Sequence, residues 1–98
     1  MHIILLKLTD KKSQATEHMA GHKAWIKQGI DEGVFLLVGS LQPNAGGVIL
    51  AHNASDEEIH ARVANDPFVE EGIAAPEILE VSPAMAEDRM QFLLGKAA

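Results

Sequence analysis

"VFLLVGSLQPNAGGVILAH", Val34 to His52, carries two apolar, β-branched stretches on either side of a loop rich in glycine, proline and asparagine. Those loop residues are the ones that turns require, and apolar runs flanking them read as strands. Val34–Ser40 and Gly47–His52 therefore form a hairpin with a longish connection. Val34–Ser40 shows no clean alternation between apolar and polar residues, and Ile3–Leu8 is apolar but for Lys7, which predicts burial on both faces of each.

Helical patterns flank the hairpin. From Thr16 to Glu32, Met19, Ile26 and Ile30 recur near helical spacing and Trp25 adjoins the stripe. Gly21 and Gly29 each weaken that helix by up to roughly 1 kcal/mol relative to alanine. Gly33 follows as a C-terminal stop. Beyond the hairpin, Ser55 with Glu58 three residues on makes a capping box, and Ile59 and Val63 are the first inward positions of a second helix. Strands at Ile3–Leu8 and Pro76–Val81 close the pattern. Ser82-Pro83 opens a last helix with Met85, Phe92 and Leu93 on its apolar face before Gly95.

The order is βαββαβ plus a C-terminal helix, the ferredoxin-like split arrangement of an α+β fold. An antiparallel sheet with helices on one side leaves an apolar face bare. Two such faces packed together make a dimeric α/β barrel, so a homodimer is expected. The chain of 98 residues holds one domain, 1–98, with 83–98 as a C-terminal helical extension.

Composition narrows the partners. Apolar residues make up 47% of the chain, as in globular proteins. No apolar run approaches the roughly 20 residues of a membrane span. The opening "MHIILLKL" lacks a small-residue cleavage site and reads as a strand, so a cytoplasmic location is the default expectation. Zero cysteines exclude thiolate nucleophiles and cysteine-ligated metals. A net charge of −6 argues against nucleic acid. Between Asp56 and Asp88, Arg62 is the only lysine or arginine among many acids. A small organic ligand suits this chain better than a phosphate backbone.

Histidine is the side chain that titrates near neutrality. His2 and His52 stand at strand ends and His60 on the outer side of the second helix, so all three read as solvent-tipped. His22 falls between Met19 and Ile26 on the inward stripe of the first helix. It is either a packed core histidine or one wall of a cleft. His18 and His22 are four apart, a spacing that can aim two imidazoles at a metal, but no third ligand is spaced nearby and no metal is expected. Asp66 precedes proline in "VANDPFVEEG", Val63 to Gly72. That places it outside the helical region and makes it a natural N-cap, with a short helix from Pro67 that Gly72 ends. By local physics it is a cap; a catalytic role needs a partner. Gly39, Gly46 and Gly47 form no phosphate loop, and no cofactor is expected. Ser40 lacks a nucleophile-elbow context and reads structurally as a hairpin residue. Trp25, Ser40 and Phe68 are the candidate substrate-binding residues, with core or hairpin packing as their plain alternative.

His22, the "DEG" ending at Gly33, "VFLLVG" to Gly39, the glycine pair opening the third strand, and "DPF" followed by Gly72 together resemble the YCII family, from the first strand to about Val81. The resemblance implies a ferredoxin-like dimeric barrel, with His22 and Asp66 as an active-site dyad. At least one member of that family is a dehydrochlorinase acting on a chlorinated hydroxyhydroquinone. Many members carry an arginine three residues before the histidine, where this chain has Met19. A dyad is coherent chemistry: a carboxylate on one imidazole nitrogen fixes the tautomer and stabilises the ring as it accepts a proton. Such a group contributes about 10²–10⁴-fold to rate. The leading expectation is a cofactor-free acid–base site of lyase or isomerase type acting on a small organic molecule. The alternative is a non-catalytic small-ligand-binding or accessory module.

Overall fold

The structure, a computed structural model, describes residues 1–94. Strand β1 (His2–Leu8) leads through a 3₁₀ turn (Lys12–Gln14) to helix α1 (Ala15–Asp31). The hairpin follows as β2 (Phe35–Leu41) and β3 (Gly46–Ala51), then α2 (Asp56–Ala64), the short α3 (Pro67–Glu70) and β4 (Ala74–Glu80). The four strands form one antiparallel sheet in the order β2-β3-β1-β4. This is the ferredoxin-like arrangement the element order predicted.

The helices cover one face of the sheet. Ile4, Leu6, Phe35, Ile49 and Ala51 from the strands meet Trp25, Ile59, Val63 and Phe68 from the helices in a single buried cluster. Fully burying an aliphatic side chain such as Ile4, Ile49 or Ile59 contributes roughly 1.5–3 kcal/mol. The capping box forms as expected: the Glu58 N–H donates to Ser55 Oγ at 3.1 Å and the Ser55 N–H to Glu58 Oε1 at 2.8 Å. The Ser55 backbone donor, with its hydroxyl, holds the Glu58 carboxyl below its ordinary 4.5. Gly33 stops α1 with a φ of 76°, a conformation that side-chain-bearing residues rarely adopt.

Gly29 has a reason that sequence did not supply. It is buried, and a Cβ there would collide with the Phe35 ring. The missing side chain is what lets α1 lie on β2. Gly29→Ala is expected to lower stability by about 1–3 kcal/mol through overpacking, even though alanine favours helices. Urea unfolding with an unchanged m-value would read it; a stabilised variant would show that Phe35 yields without cost.

Several expectations change. Ile30 is 50% exposed rather than inward. The inward stripe of α1 runs through Met19, His22, Trp25, Ile26 and Gly29, and one residue further falls about 100° around the helix. His2, expected in solvent, is 3% exposed, because β1 turns its first residue toward the helices and under the start of α2. The tail is not a helix from Ser82. Residues 81–87 have no regular structure, and only Asp88–Leu93 forms a 3₁₀ helix. Pro83 holds Ser82 away from helical geometry. Met85, 87% exposed, and Phe92, 57% exposed, also lack the packing that a short helix needs. The expected stop at Gly95 lies outside the described residues.

Burial on both faces of the sheet is not met within the chain. The register aligns Leu37, Leu50, Ile3 and Leu79 in one lateral row across all four strands, on the face away from the helices. Leu37 is 54% and Leu79 41% exposed. The missing alternation in β2 has a second cause. Phe35 pairs with Ala51 but Leu37 with Leu50, so Leu36 is an extra residue in a β-bulge. The bulge shifts the period by one, so that Val38 and Ser40 lie on the helix side of the sheet together with Phe35.

Candidate functional site

His22 stands near the middle of α1, and Asp66 caps the N-terminus of α3, 44 residues later. Local chemistry fixes the acid first. Proline at the next position keeps Asp66 extended (φ −65°, ψ 125°), and its Oδ1 accepts the Phe68 backbone N–H at 3.0 Å. The same Oδ1 lies 2.7 Å from His22 Nδ1. Cap and pair are therefore one oxygen doing two things. The other oxygen, Oδ2, is buried without a partner, and the whole residue is 0% exposed. An ionised carboxylate only accepts, so the proton of the pair belongs on Nδ1 and the lone pair of a neutral ring on Nε2.

Aromatic packing holds the ring in place. Phe68 stacks on His22 with centroids 3.9 Å apart and planes 3° from parallel. Trp25 lies on a second side at 6.1 Å and 22°. The Trp25 indole N–H donates to the Arg62 carbonyl at 3.0 Å, and its ring meets Phe35 edge-on at 5.1 Å. Two rotatable bonds of His22 are thus constrained before any ligand arrives, which is the pre-organisation an acid–base group needs.

His22 opens onto a cleft of about 520 Å³ between α1, the start of α3 and the β1–β3 part of the sheet. Its walls are largely apolar, with Leu6, Met19, Ile26 and Phe68 prominent. Lys23, Ser40 and Asn44 add the polar groups. The size suits a small organic ligand with few orienting contacts. Of the candidates read from sequence, the structure brings His22, Asp66, Phe68 and Ser40 together here. Trp25 is not on the cleft wall; it backs the imidazole and lines a separate concavity with Arg62 and Asn53. Ser40 reaches the cleft because of the bulge at Leu36. Lys23 and Asn44 were missed. Lys23 directly follows His22 and reads as an ordinary solvated helix cation, and Asn44 (φ 50°) reads as turn chemistry. His18 and His22 gain no third ligand within metal-binding reach among the described residues.

A family model for the YCII-related domain matches residues 1–82, most of the chain. The chain belongs to the YCII-related family. No curated protein matches this YCII-related chain. Among solved structures it is similar to the 5-chloro-2-hydroxyhydroquinone dehydrochlorinase TftG of Burkholderia phenoliruptrix, determined in complex with 2,5-dihydroxybenzoquinone. Identity is 17% with a TM-score of 0.66, over 83% of this chain and 93% of that one. At that identity the likeness establishes a shared fold. Among the described residues, no helix of this YCII-related domain is long and apolar enough to cross a membrane.

Proposed function

We propose that the His22–Asp66 pair is a cofactor-free acid–base site acting on a small organic molecule by proton transfer coupled to elimination or isomerisation. One observation carries the reading: Nδ1 is committed to a buried carboxylate at 2.7 Å, while the ring borders a largely apolar cleft. Nε2 takes a proton from an acidified C–H or O–H of the ligand. The electron pair left behind rearranges or expels a leaving group such as chloride. The imidazolium is stabilised by Asp66, and the proton passes on to solvent or product. Phe68 holds the ring and closes the cleft behind it. Ser40, Lys23 and Asn44 orient the polar end of the ligand. Membership of the YCII-related family and the fold shared with TftG support lyase-type chemistry, and TftG's named substrate gives the first compounds to try.

The functional unit in this reading is a homodimer, its two bare sheet faces packed together. The apolar row Leu37–Leu50–Ile3–Leu79 supports it, because a contiguous exposed apolar face marks an association surface.

Chlorinated and unchlorinated hydroxyhydroquinones incubated with the wild-type chain and with His22→Gln would test the site. Chloride release and ring-proton exchange are the readouts. His22→Gln is expected to slow turnover by about 10²–10⁴-fold. Ligands that bind by calorimetry, undergo no proton exchange and ignore the substitution would instead favour the binding-module reading.

A further inference from the structure

A second cluster of chemistry-bearing side chains lies at the end of β1 opposite Leu6 and Leu8, away from the His22 cleft. The register places Glu80 of β4 directly across from His2, on the helix-covered face. Asp56, the first residue of α2, bonds to the same imidazole, Oδ1 to Nε2 at 2.9 Å. One helical turn on, His60 Nε2 lies 3.5 Å from that same Asp56 oxygen. His2, Asp56 and Glu80 each bring a ligand atom within 4.8 Å of the other two.

Three observations exceed what a strand-to-helix hydrogen bond needs. One carboxylate would suffice for such a tether, yet two converge on the ring. Among the described residues, no lysine or arginine pairs with Asp56 or Glu80, so two negative charges lack a fixed counter-charge. His2 itself is 3% exposed, so the ring that meets Asp56 through Nε2 is held out of water. A buried imidazole set against two carboxylates with no lysine or arginine between them is a donor set that suits a divalent ion.

The geometry points to a divalent-cation site formed by His2, Asp56 and Glu80, with His60 as the fourth donor. Two imidazoles and two carboxylates match a four-coordinate zinc-like ion better than magnesium or calcium, which take oxygen donors. Donors around such an ion stand roughly 3.4 Å apart, given metal–ligand distances of about 2.1 Å. His2, Asp56 and Glu80 close to that separation from 4.8 Å or less by rotation of the two exposed carboxylates, and His60, 3.5 Å from Asp56, swings in to complete the shell. On binding, the neutral ring takes the form with its proton on Nδ1, a doubly protonated ring losing its Nε2 proton to solvent, and Nε2 gives its lone pair to the metal. The ion would then join β1, β4 and the start of α2 at one point, at the far end of β1 from the Lys7–Glu77 ion pair between the two strands.

Chelator-stripped wild-type chain titrated with zinc chloride by calorimetry tests this, with magnesium chloride as the comparison. The expected result is one zinc per chain at micromolar affinity or better, a rise in Tm with zinc, and no response to magnesium. Co²⁺ should give the intense visible bands of a four-coordinate site. Glu80→Gln and Asp56→Asn change exposed residues and keep the Ser55 cap, so both should fold and should each weaken zinc binding by about tenfold or more. His18→Gln, which removes half of the histidine pair on α1, should change nothing. Absence of saturable zinc binding below about 1 mM overturns the site, a dissociation constant at which little binding energy remains. So does binding that survives both carboxylate substitutions, or binding lost with His18→Gln.

Discussion

Asp66→Asn is expected to leave the fold within about 1 kcal/mol of the parent, because asparagine caps helices about as well as aspartate, yet to cost the site about 10²–10⁴-fold in turnover. The two effects separate because Oδ1 serves two donors, the Phe68 N–H and the His22 ring. An amide oxygen in its place still accepts from both. What disappears is the negative charge that stabilises the imidazolium formed when Nε2 takes a proton. Asp66→Ala removes the cap as well and leaves the His22 Nδ1–H without an acceptor. It should lower stability by about 1–3 kcal/mol, the combined scale of a lost cap and a stranded polar group. Urea unfolding gives the stability difference. Imidazole ¹⁵N shifts of His22 give an activity-independent check: the neutral wild-type ring should be the Nδ1–H form, with Nε2 bare. A ring protonated on Nε2, or an Asp66→Asn variant with full turnover, would remove the base assignment.

Leu37→Glu combined with Leu79→Glu is expected to convert a dimer into a monomer, weakening self-association by at least about 100-fold. Both residues are substantially exposed in the single chain, so the folded monomer should lose little. Packed against a second sheet, each would bury an unpaired carboxylate, at several kcal/mol apiece. A stable contact needs about 800 Å² from each partner, which a four-stranded face of this kind can offer. Sedimentation velocity at tens of micromolar chain, with circular dichroism to confirm folding, reads the outcome. A wild-type chain that sediments as a monomer throughout that range, or a charged variant that stays dimeric, would contradict packing through this face. Because Leu6, Val38 and Ser40 belong to the opposite face, this substitution pair also separates assembly from the cleft itself.

Much of the architecture was legible because it is local. The hairpin declared itself in its turn residues, α2 in its capping box, and α3 in an aspartate before a proline. Each depends on interactions within a few residues and is therefore written in consecutive letters. The order of elements then left few sheet topologies to choose from. The C-terminal helix failed for the same reason: proline at a first turn permits a helix, but only a packing surface stabilises a short one, and Met85 stays 87% exposed while Phe92 gains only an edge contact with the His52 ring.

The site divides along the same line. The sequence alone established which residues carry usable chemistry, that His22 faces inward, and that Asp66 must cap; the resemblance it carries suggested that they meet. Only the folded chain decided that one Asp66 oxygen serves both Phe68 and His22, that Phe68 stacks on the ring, and that Trp25 stands behind it rather than in the cleft. Only the bulge at Leu36 decided that Val38 and Ser40, not Leu37 and Gly39, lie toward the helices. His2 was read as a solvent tip because a strand end looks exposed until the strand across from it and the helix above it are in place. Caps, turns and periodicities are energies between near neighbours in sequence. A register shift or a contact across 44 residues is fixed by how the helices and sheet pack, and no short stretch of letters contains it.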